Sequence, residues 1–294
     1  MTEAEQKASV TATWSILDQT QRFLFHKLIS GNFRFGAAKK VVINALAKAA
    51  DVDAAVMQHR LSGRPIEPTP EAYEKLLAGT EGDDARPYPF YLAHQLDDPP
   101  ETLGPVGPWS AEWKWDGIRA QIIRRGHETM VWSRGDELIT DAFPELRAVG
   151  DALPEGTVLA GELLAFEGDR PLGFSLLQRR LNRKRMEPML FADVPVVFMA
   201  YDVLEHHGQD LREQPTQQRR AILEDLVPDE PGIKLSPLIE FDSWDALAKR
   251  REESRGRGVE GVMLKRQDAP YAAGRVKGAW WKWKVDPYTV DCVM

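Results

Sequence analysis

The segment EWKWDGIR, residues 112–119, places a lysine between two tryptophans within an alternating pattern. If residues 112–116 are extended, the two-residue period of a strand puts Glu112, Lys114 and Asp116 on one face and the tryptophans on the other. Aromatic backing partly desolvates an amine, and desolvation favours the neutral, nucleophilic form. The same pattern is equally typical of a surface strand whose lysine forms an ion pair.

Gly117 permits a turn after this strand, and the turn would bring Arg119 back beside it. The planar fork of an arginine suits a fixed contact with a phosphate or a sugar. The sequence therefore predicts that Arg119 lies near the lysine.

The segment WWKWK, residues 280–284, repeats the arrangement near the end of the chain. Lys282 and Lys284 share one face of the predicted strand. Two parallel ammonium groups at the edge of a core are costly without an anion, and a phosphate group would satisfy both. The alternative is an edge strand whose lysines protect it from aggregation.

Two apolar segments each contain one glutamate. Glu162 lies inside TVLAGELLAF, residues 157–166, and Glu260 lies near the start of VEGVMLK, residues 259–265. A carboxylate in an apolar strand is usually paired, or it binds a metal or a hydroxyl. A magnesium ion and a ribose hydroxyl are the candidate partners, and a structural ion pair is the alternative for either residue.

Two other segments point to nucleic-acid components. Tyr201 lies near the end of VPVVFMAYDVL, residues 194–204, where its ring would stack on a base or pack in the core. The segment QRRLNRKR, residues 178–185, is the main basic cluster and could bind backbone phosphates of a duplex, with a solvated helix end as the alternative. Its cations are Arg179, Arg180, Arg183, Lys184 and Arg185.

The sequence pattern changes near residue 85, from helical periodicity to short strand-like segments. Helical spacing predicts helices through Trp14–Leu28 and 37–50, and Thr69-Pro70 is a typical helix start. Later strands are predicted at 111–115, 118–124, 129–133, 157–166, 194–204, 259–266 and 279–285, and helices near 172–182, 213–226 and 243–255. We therefore predict an α+β fold: antiparallel sheets with flanking helices over 86–294, preceded by a small all-α domain over 1–85.

Composition limits the function classes. The 294 residues carry a net charge of −7, which argues against a uniformly basic surface, so local clusters must hold any nucleic acid. With one cysteine, Cys292, the chain can form neither an internal disulfide nor a four-cysteine zinc site. No apolar run is long enough to span a membrane and no secretory signal is visible, so a cytoplasmic location is expected.

Together these segments resemble the motifs of the covalent nucleotidyltransferase superfamily, which comprises ATP-dependent DNA ligases, RNA ligases and mRNA-capping enzymes. KWDGIR, residues 114–119, is similar to the signature K-x-D-G-x-R, whose lysine carries the nucleotide. The other four motifs follow in the family's order: Glu162 in AGELLAF, Tyr201 in FMAYDVL, Glu260 in EGVMLK, and Lys282 and Lys284 in WWKWK.

The resemblance implies a nucleotidyltransferase (adenylation) domain that uses ATP and Mg²⁺. It implies that Lys114 takes AMP from ATP and that Lys282 and Lys284 contact the α-phosphate. The other implied roles are ribose contact and metal binding by Glu162, stacking on adenine by Tyr201, metal binding by Glu260, contact with a sugar or the nick phosphate by Arg119, contact with adenine by Glu112, and contact with DNA phosphate by Arg134.

The segment LISGNFRFGAAKKVVINALA, residues 28–47, looks like the helical DNA-binding domain of larger DNA ligases. It favours a DNA ligase acting on nicked double-stranded DNA over an RNA ligase or a capping enzyme. Family members usually continue past the lysine pair into an OB-fold domain, which we expect to be absent here or supplied separately. A non-catalytic clamp on nicked DNA is therefore a further alternative.

Overall fold

The computed structural model describes residues 3–29, 39–52, 54–61, 69–78, 86–181, 194–227 and 231–286. The chain separates into two compact units, residues 1–45 and 46–294. The domain boundary predicted at residue 85 falls at the end of residues 79–85, which lie outside the described part of the chain. That boundary stays a prediction.

Helices make up the described part of the first eighty residues: α1 Glu3–Ile16, α2 Gln19–Ile29, α3 Lys39–Ala50, α4 Ala54–Leu61 and α5 Pro70–Ala78. The single helix predicted through Trp14–Leu28 is wrong, because the chain ends one helix and begins another there. Asp18 Oδ1 accepts a hydrogen bond from the Gln21 amide at 2.8 Å, and Gln21 Oε1 accepts one from the Asp18 amide at 3.1 Å. This reciprocal capping starts a new helix.

The helix start at Thr69-Pro70 is confirmed. Thr69 Oγ1 accepts a hydrogen bond from the Ala72 amide at 3.2 Å, and α5 begins at Pro70. Proline fits the first helical position because its missing N–H would have no partner inside the helix there.

In the described part of the chain, a four-stranded sheet has the order β1-β11-β10-β2. Its strands are β1 His94–Gln95, β2 Trp109–Trp113, β10 Gly261–Arg266 and β11 Trp280–Lys284. Trp113, Val262 and Trp283 lie opposite one another on β2, β10 and β11. They pack with Trp244 and Leu247 of helix α9, Trp244–Glu252, so one face of this small sheet is covered by a helix.

The second sheet has seven strands among the described residues, ordered β4-β3-β5-β7-β8 with β6 on β5 and β9 on β7. Its strands are β3 Ile118–Arg125, β4 Glu128–Ser133, β5 Thr157–Glu167, β6 Arg170–Pro171, β7 Val196–His206, β8 Gln209–Asp210 and β9 Ile233–Leu235. The central strand β5 is apolar along its length because both faces are covered: Leu159 and Leu163 pack in one core, Val158 and Ala160 in another.

Helices flank the sheets: α6 Glu145–Ala152, α7 Ser175–Leu181, α8 Thr216–Leu226, α9 and the short α10 Ser254–Arg257. The predicted α+β class with largely antiparallel sheets is confirmed, and each predicted strand from residue 111 onward overlaps an observed one. Helix α6 was not predicted. Across the described ranges, no helix combines the length and the apolar composition needed to cross a bilayer.

Gly261 marks the tightest approach between β10 and β11. Its φ is +144°, and a Cβ there would lie 2.3 Å from the Trp283 carbonyl oxygen and 2.7 Å from Lys284 Cα. Both atoms belong to backbone, so the strands would have to separate. We predict that Gly261→Ala lowers the free energy of unfolding by about 2 kcal/mol or more.

Urea unfolding of the full chain checks this expectation. Gly256→Ala is the matched control, because a Cβ at Gly256 meets nothing within 4 Å and its φ is not positive. Equal midpoints for the two variants would contradict the prediction.

Candidate active site

A cavity of about 530 Å³ is lined by residues of both sheets. From the small sheet, β11 contributes alternate residues, Trp280, Lys282 and Lys284, to its wall. The cavity brings together every residue that the sequence indicated for nucleotide binding, metal binding or nucleophilic attack: Glu112, Lys114, Arg119, Glu162, Tyr201, Glu260, Lys282 and Lys284. Its volume is in the range that holds a small ligand or cofactor.

Lys114 lies in the connection between the two sheets. The strand predicted over 111–115 ends two residues early: β2 ends at Trp113 and β3 begins at Ile118, because the chain crosses from one sheet to the other. The Lys114 amide donates to the Gly261 carbonyl and the Lys114 carbonyl accepts from the Glu260 amide, both at 2.8 Å. These two bonds fix the lysine backbone at the edge of the small sheet.

The Lys114 ammonium pairs with the Glu260 carboxylate, and Lys284 Nζ lies 3.0 Å from the same oxygen of Glu260. The Lys114 side chain is 20% exposed. Burial alone would raise the pKa of Glu260, but hydrogen bonds and charge from Lys114 and Lys284 outweigh burial and lower it. Glu260 is therefore an ionised carboxylate shared by two cations.

Asp116 and Lys282 also line this part of the cavity. Burial, followed by the charge of Glu260, raises the pKa of Asp116. Burial, followed by the nearby cations of Lys284, Lys114 and Arg275, lowers the pKa of Lys282. Within the described ranges Lys282 has no ion-pair partner, so this end of the cavity has room for an anion.

Glu162 and Arg119 lie opposite each other on β5 and β3. Arg119 donates through Nη2 to the Tyr91 carbonyl at 2.7 Å and through Nε to the Tyr201 hydroxyl at 3.3 Å. Burial raises the pKa of Glu162 to about 7, although the charges of Arg119 and Lys114 oppose the shift. A carboxyl group whose pKa is near 7 can be protonated or ionised at neutral pH, so it can donate or accept a hydrogen bond.

Gly117 lets the connection pass close to β5. A Cβ at this position would lie 2.3 Å from the Leu163 carbonyl oxygen and 3.1 Å from Glu162 Cγ. A glycine is required at this position because any side chain would clash with β5, and not because the backbone adopts a left-handed conformation.

Sequence reasoning missed Lys265. Its ammonium donates to Glu112 Oε1 at 2.6 Å and to the Tyr201 carbonyl at 3.0 Å, and it lies 4.7 Å from the ring centroids of both Tyr201 and Trp280. The Glu112–Lys265 pair is almost fully buried. The signal was a lysine at the end of an apolar strand, in VEGVMLK. Arg275, also missed, is exposed and lines the cavity.

The residues predicted to contact DNA divide into three groups. Arg134 is exposed on the cavity wall and Arg179 is exposed on α7. Arg180 corrects the prediction: its side chain is fully buried and donates to Glu145 at 2.5 and 2.9 Å and to the Ala142 carbonyl at 2.9 Å. It therefore stabilises the fold and does not face a phosphate. Arg183, Lys184 and Arg185 lie outside the described residues.

The raised pKa of Glu162 gives a pH-dependent stability. A carboxyl whose pKa is about 7 when folded and near its ordinary 4.5 when unfolded binds its proton more tightly in the folded state. That stabilisation is complete below about pH 4.5 and is lost as the pH rises through about 7, a change on the order of 3 kcal/mol. Because glutamine does not titrate, the stability of Glu162→Gln should not show this loss as the pH rises.

Urea unfolding between pH 4.5 and 8 compares the parent, Glu162→Gln and the control Glu167→Gln, whose side chain is exposed at the end of β5. The parent and Glu167→Gln should both lose stability relative to Glu162→Gln as the pH rises. Parallel curves for all three proteins would show that Glu162 does not titrate in this range.

Comparisons with known proteins agree with this arrangement. The family described as ATP dependent DNA ligase domain matches residues 90–284. A probable DNA ligase of Sorangium cellulosum (strain So ce56) is 33% identical over 295 residues, covering 95% of this chain and 53% of that protein. A DNA ligase of Methanothermobacter thermautotrophicus is 32% identical over 271 residues, covering 89% and 48%. The chain spans about half the length of these curated relatives.

Solved structures give the same result. The mycobacterial DNA ligase D complexed with ATP and MES is 30% identical, with a TM-score of 0.53 over 67% of this chain and 60% of that one. The ligase domain of M. tuberculosis LigD is 28% identical, with a TM-score of 0.52 over 66% and 59%. Because the family match covers most of the chain and includes both sheets and the cavity, the chain belongs to the ATP-dependent DNA ligase domain family.

Proposed function

We propose that this chain is the adenylating core of an ATP-dependent DNA ligase and that Lys114 is its nucleophile. One observation carries the proposal. The amine of Lys114 shares a cavity with the lysine pair Lys282 and Lys284, while Glu162 and Tyr201 line the same cavity. An amine, a cationic site for phosphate and a polar aromatic wall are what nucleotide attachment to a lysine requires.

The nucleotide orientation follows from the chemistry of the wall. Tyr201 and the buried Glu112–Lys265 pair present an aromatic ring and fixed polar groups, which suit a base. Glu162 and Arg119 line the same cavity, Arg119 is hydrogen-bonded to the Tyr201 hydroxyl, and both residues can hydrogen-bond a ribose hydroxyl. The phosphates then reach the lysines, where Lys282 has no ion-pair partner among the described residues and burial lowers its pKa.

In the first step, the neutral amine of Lys114 attacks the α-phosphorus of ATP. The Lys114 ammonium gives one proton to solvent before the attack. A nitrogen–phosphorus bond then forms, the bond from that phosphorus to the bridging oxygen breaks, pyrophosphate leaves with the bonding electrons, and the nitrogen gives a second proton to solvent. Lys282 and Lys284 stabilise the charge that develops on the phosphate oxygens. The connection 114–117 holds the amine at the cavity wall, which lowers the entropic cost of attack.

Mg²⁺ fits the carboxylates of this cavity. Asp116 and Glu260 both line it, and burial, followed by the charge of Glu260, raises the pKa of Asp116. Among the described residues no cluster of three or more His, Cys, Asp or Glu exists. Mg²⁺ does not need one, because it binds through one or two carboxylates together with phosphates and water. When bound, it supplies positive charge to the phosphates. Glu260 and Asp116, with Glu162 as a further candidate, would hold it.

The next two steps act on nicked double-stranded DNA. AMP passes from Lys114 to the 5′-phosphate at the nick, and the 3′-hydroxyl then displaces AMP and seals the strand. Arg134 and Arg179 are exposed and remain candidates for DNA phosphate contacts, as do Arg183, Lys184 and Arg185. An OB-fold domain, in the same or a separate polypeptide, would add further contacts with ATP and DNA.

Covalent labelling tests the nucleophile. The full chain is incubated with α-labelled ATP and Mg²⁺ and separated on a denaturing gel beside Lys114→Ala and the control Lys249→Ala, whose lysine is exposed on α9. The parent and Lys249→Ala should carry label and Lys114→Ala none. Label on Lys114→Ala would overturn the assignment.

A nick that already carries AMP on its 5′-phosphate tests the final step without the first. Sealing by the parent supports a ligase core even where labelling is weak. Labelling by ATP together with sealing of nicked DNA excludes a capping enzyme, and sealing of nicked RNA alone indicates an RNA ligase. Binding of the nick with neither labelling nor sealing indicates a clamp.

A further inference from the structure

Two arginines lie on tryptophans of the small sheet that pack with Trp244 and Leu247 of α9. The Arg251 guanidinium carbon is 4.7 Å from the ring centroid of Trp283, and that of Arg257 is 4.8 Å from the ring centroid of Trp113. Each tryptophan immediately precedes a lysine of the cavity, Lys284 in the first case and Lys114 in the second.

Arg251 also holds the end of β11 directly. Its Nε and Nη2 donate to the Lys284 carbonyl oxygen at 3.1 and 2.5 Å. Arg255 Nη2 donates to the Asp286 carbonyl at 2.6 Å, two residues further on. Lys284 is the last residue of β11, so these bonds set where the strand ends and where its last side chain begins.

Arg257 is itself fixed. Its Nε and Nη2 donate to Glu253 Oε2 at 2.9 and 2.7 Å, and Glu253 also accepts from Arg250 at 3.1 Å. An arginine held by a carboxylate over an indole loses little freedom on stacking, so the contact with Trp113 keeps a defined geometry. Trp113 in turn ends β2, one residue before Lys114.

The ammonium groups of Lys114 and Lys284 both lie close to the Glu260 carboxylate. Lys284 Nζ lies 3.0 Å from the carboxylate that also pairs with Lys114. Because consecutive residues are joined through the backbone, a shift of Trp283 moves Lys284, and a shift of Trp113 moves Lys114. A displacement near 1 Å at a reacting group costs up to about a hundredfold in rate.

We propose that Arg251 and Arg257 are positioning residues for phosphoryl transfer. They act through Trp283 and Trp113, which pack with α9, and Arg251 acts also through the Lys284 carbonyl. Neither touches the nucleotide. This role rests on the proposed function, because it assigns Lys114 and Lys284 to the reaction.

The test uses the full chain and three variants: Arg251→Gln, Arg257→Gln and the matched control Arg250→Gln. Arg250 is exposed on the same helix as Arg251 and shares Glu253 with Arg257, but no contact with the small sheet is seen for it among the described residues. The first readout is the rate of covalent labelling as a function of ATP concentration. Arg251→Gln should lower the maximal rate about tenfold, with a change in half-saturating ATP of less than about twofold.

The second readout does not need catalysis. The rate at which an amine-specific acetylating reagent modifies each lysine is measured by mass spectrometry of peptides. Lys284 in Arg251→Gln and Lys114 in Arg257→Gln should change in rate by about threefold or more, since altered placement changes exposure and pairing. Lys249, remote from the cavity, is the internal reference.

The two proposals fail separately. A parent chain that takes no label would contradict adenylation by this chain, and lysine reactivity would then decide the positioning role by itself. A labelled parent whose Arg251→Gln and Arg257→Gln variants match Arg250→Gln in both rate and reactivity would overturn the positioning role alone. Equal losses of maximal rate in all three variants would also overturn it, because a general effect of charge would explain them.

Discussion

The site depends on one carboxylate. Glu260 pairs with Lys114, which follows β2, and with Lys284, which ends β11, while its own amide bonds the Lys114 carbonyl. Without this anion, two cations beside the further cation of Lys282 would repel one another in a partly buried space. Glu260 therefore holds three segments of the chain together and keeps an excess of positive charge available for phosphate.

The two sheets impose a second constraint. The connection from β2 to β3 is only the four residues 114–117, so Lys114 lies where the sheets approach each other. That approach needs Gly117, which passes against the Leu163 carbonyl of β5. Within the small sheet, Gly261 allows β10 to pass close to the backbone of β11. The cavity lies where the two sheets meet, because residues of both sheets and of the connection 114–117 line it. A nucleotide placed there would be held by two rigid scaffolds.

Much of this arrangement could be predicted from the sequence. Alternation in WWKWK predicts which residues face a helix and which face the cavity, and the apolar strands that carry Glu162 and Tyr201 are found where the pattern puts them. Local periodicity succeeds because alternation along a strand is a property of the strand itself. The order of the motifs then predicted the family.

The failures at the candidate site depend on tertiary contacts. A strand through residue 116 fitted the alternation, but the chain leaves the small sheet after Trp113 to reach the other sheet. Arg180 looked like part of a basic surface until its partner Glu145, thirty-five residues away, became visible. Lys265 belongs to the candidate site because it contacts Glu112, Tyr201 and Trp280. No local pattern reports such distant partners.

We propose that one cavity binds the nucleotide, with its base toward Tyr201 and its phosphates toward the lysines. Photo-crosslinking with an ATP that carries an azido group on the adenine, followed by peptide mapping, tests it without requiring catalysis. We expect crosslinks in the peptides that contain Tyr201 or Lys265, and we expect these crosslinks to be lost when unmodified ATP competes. Competed crosslinks confined to peptides whose residues do not line the cavity would contradict it.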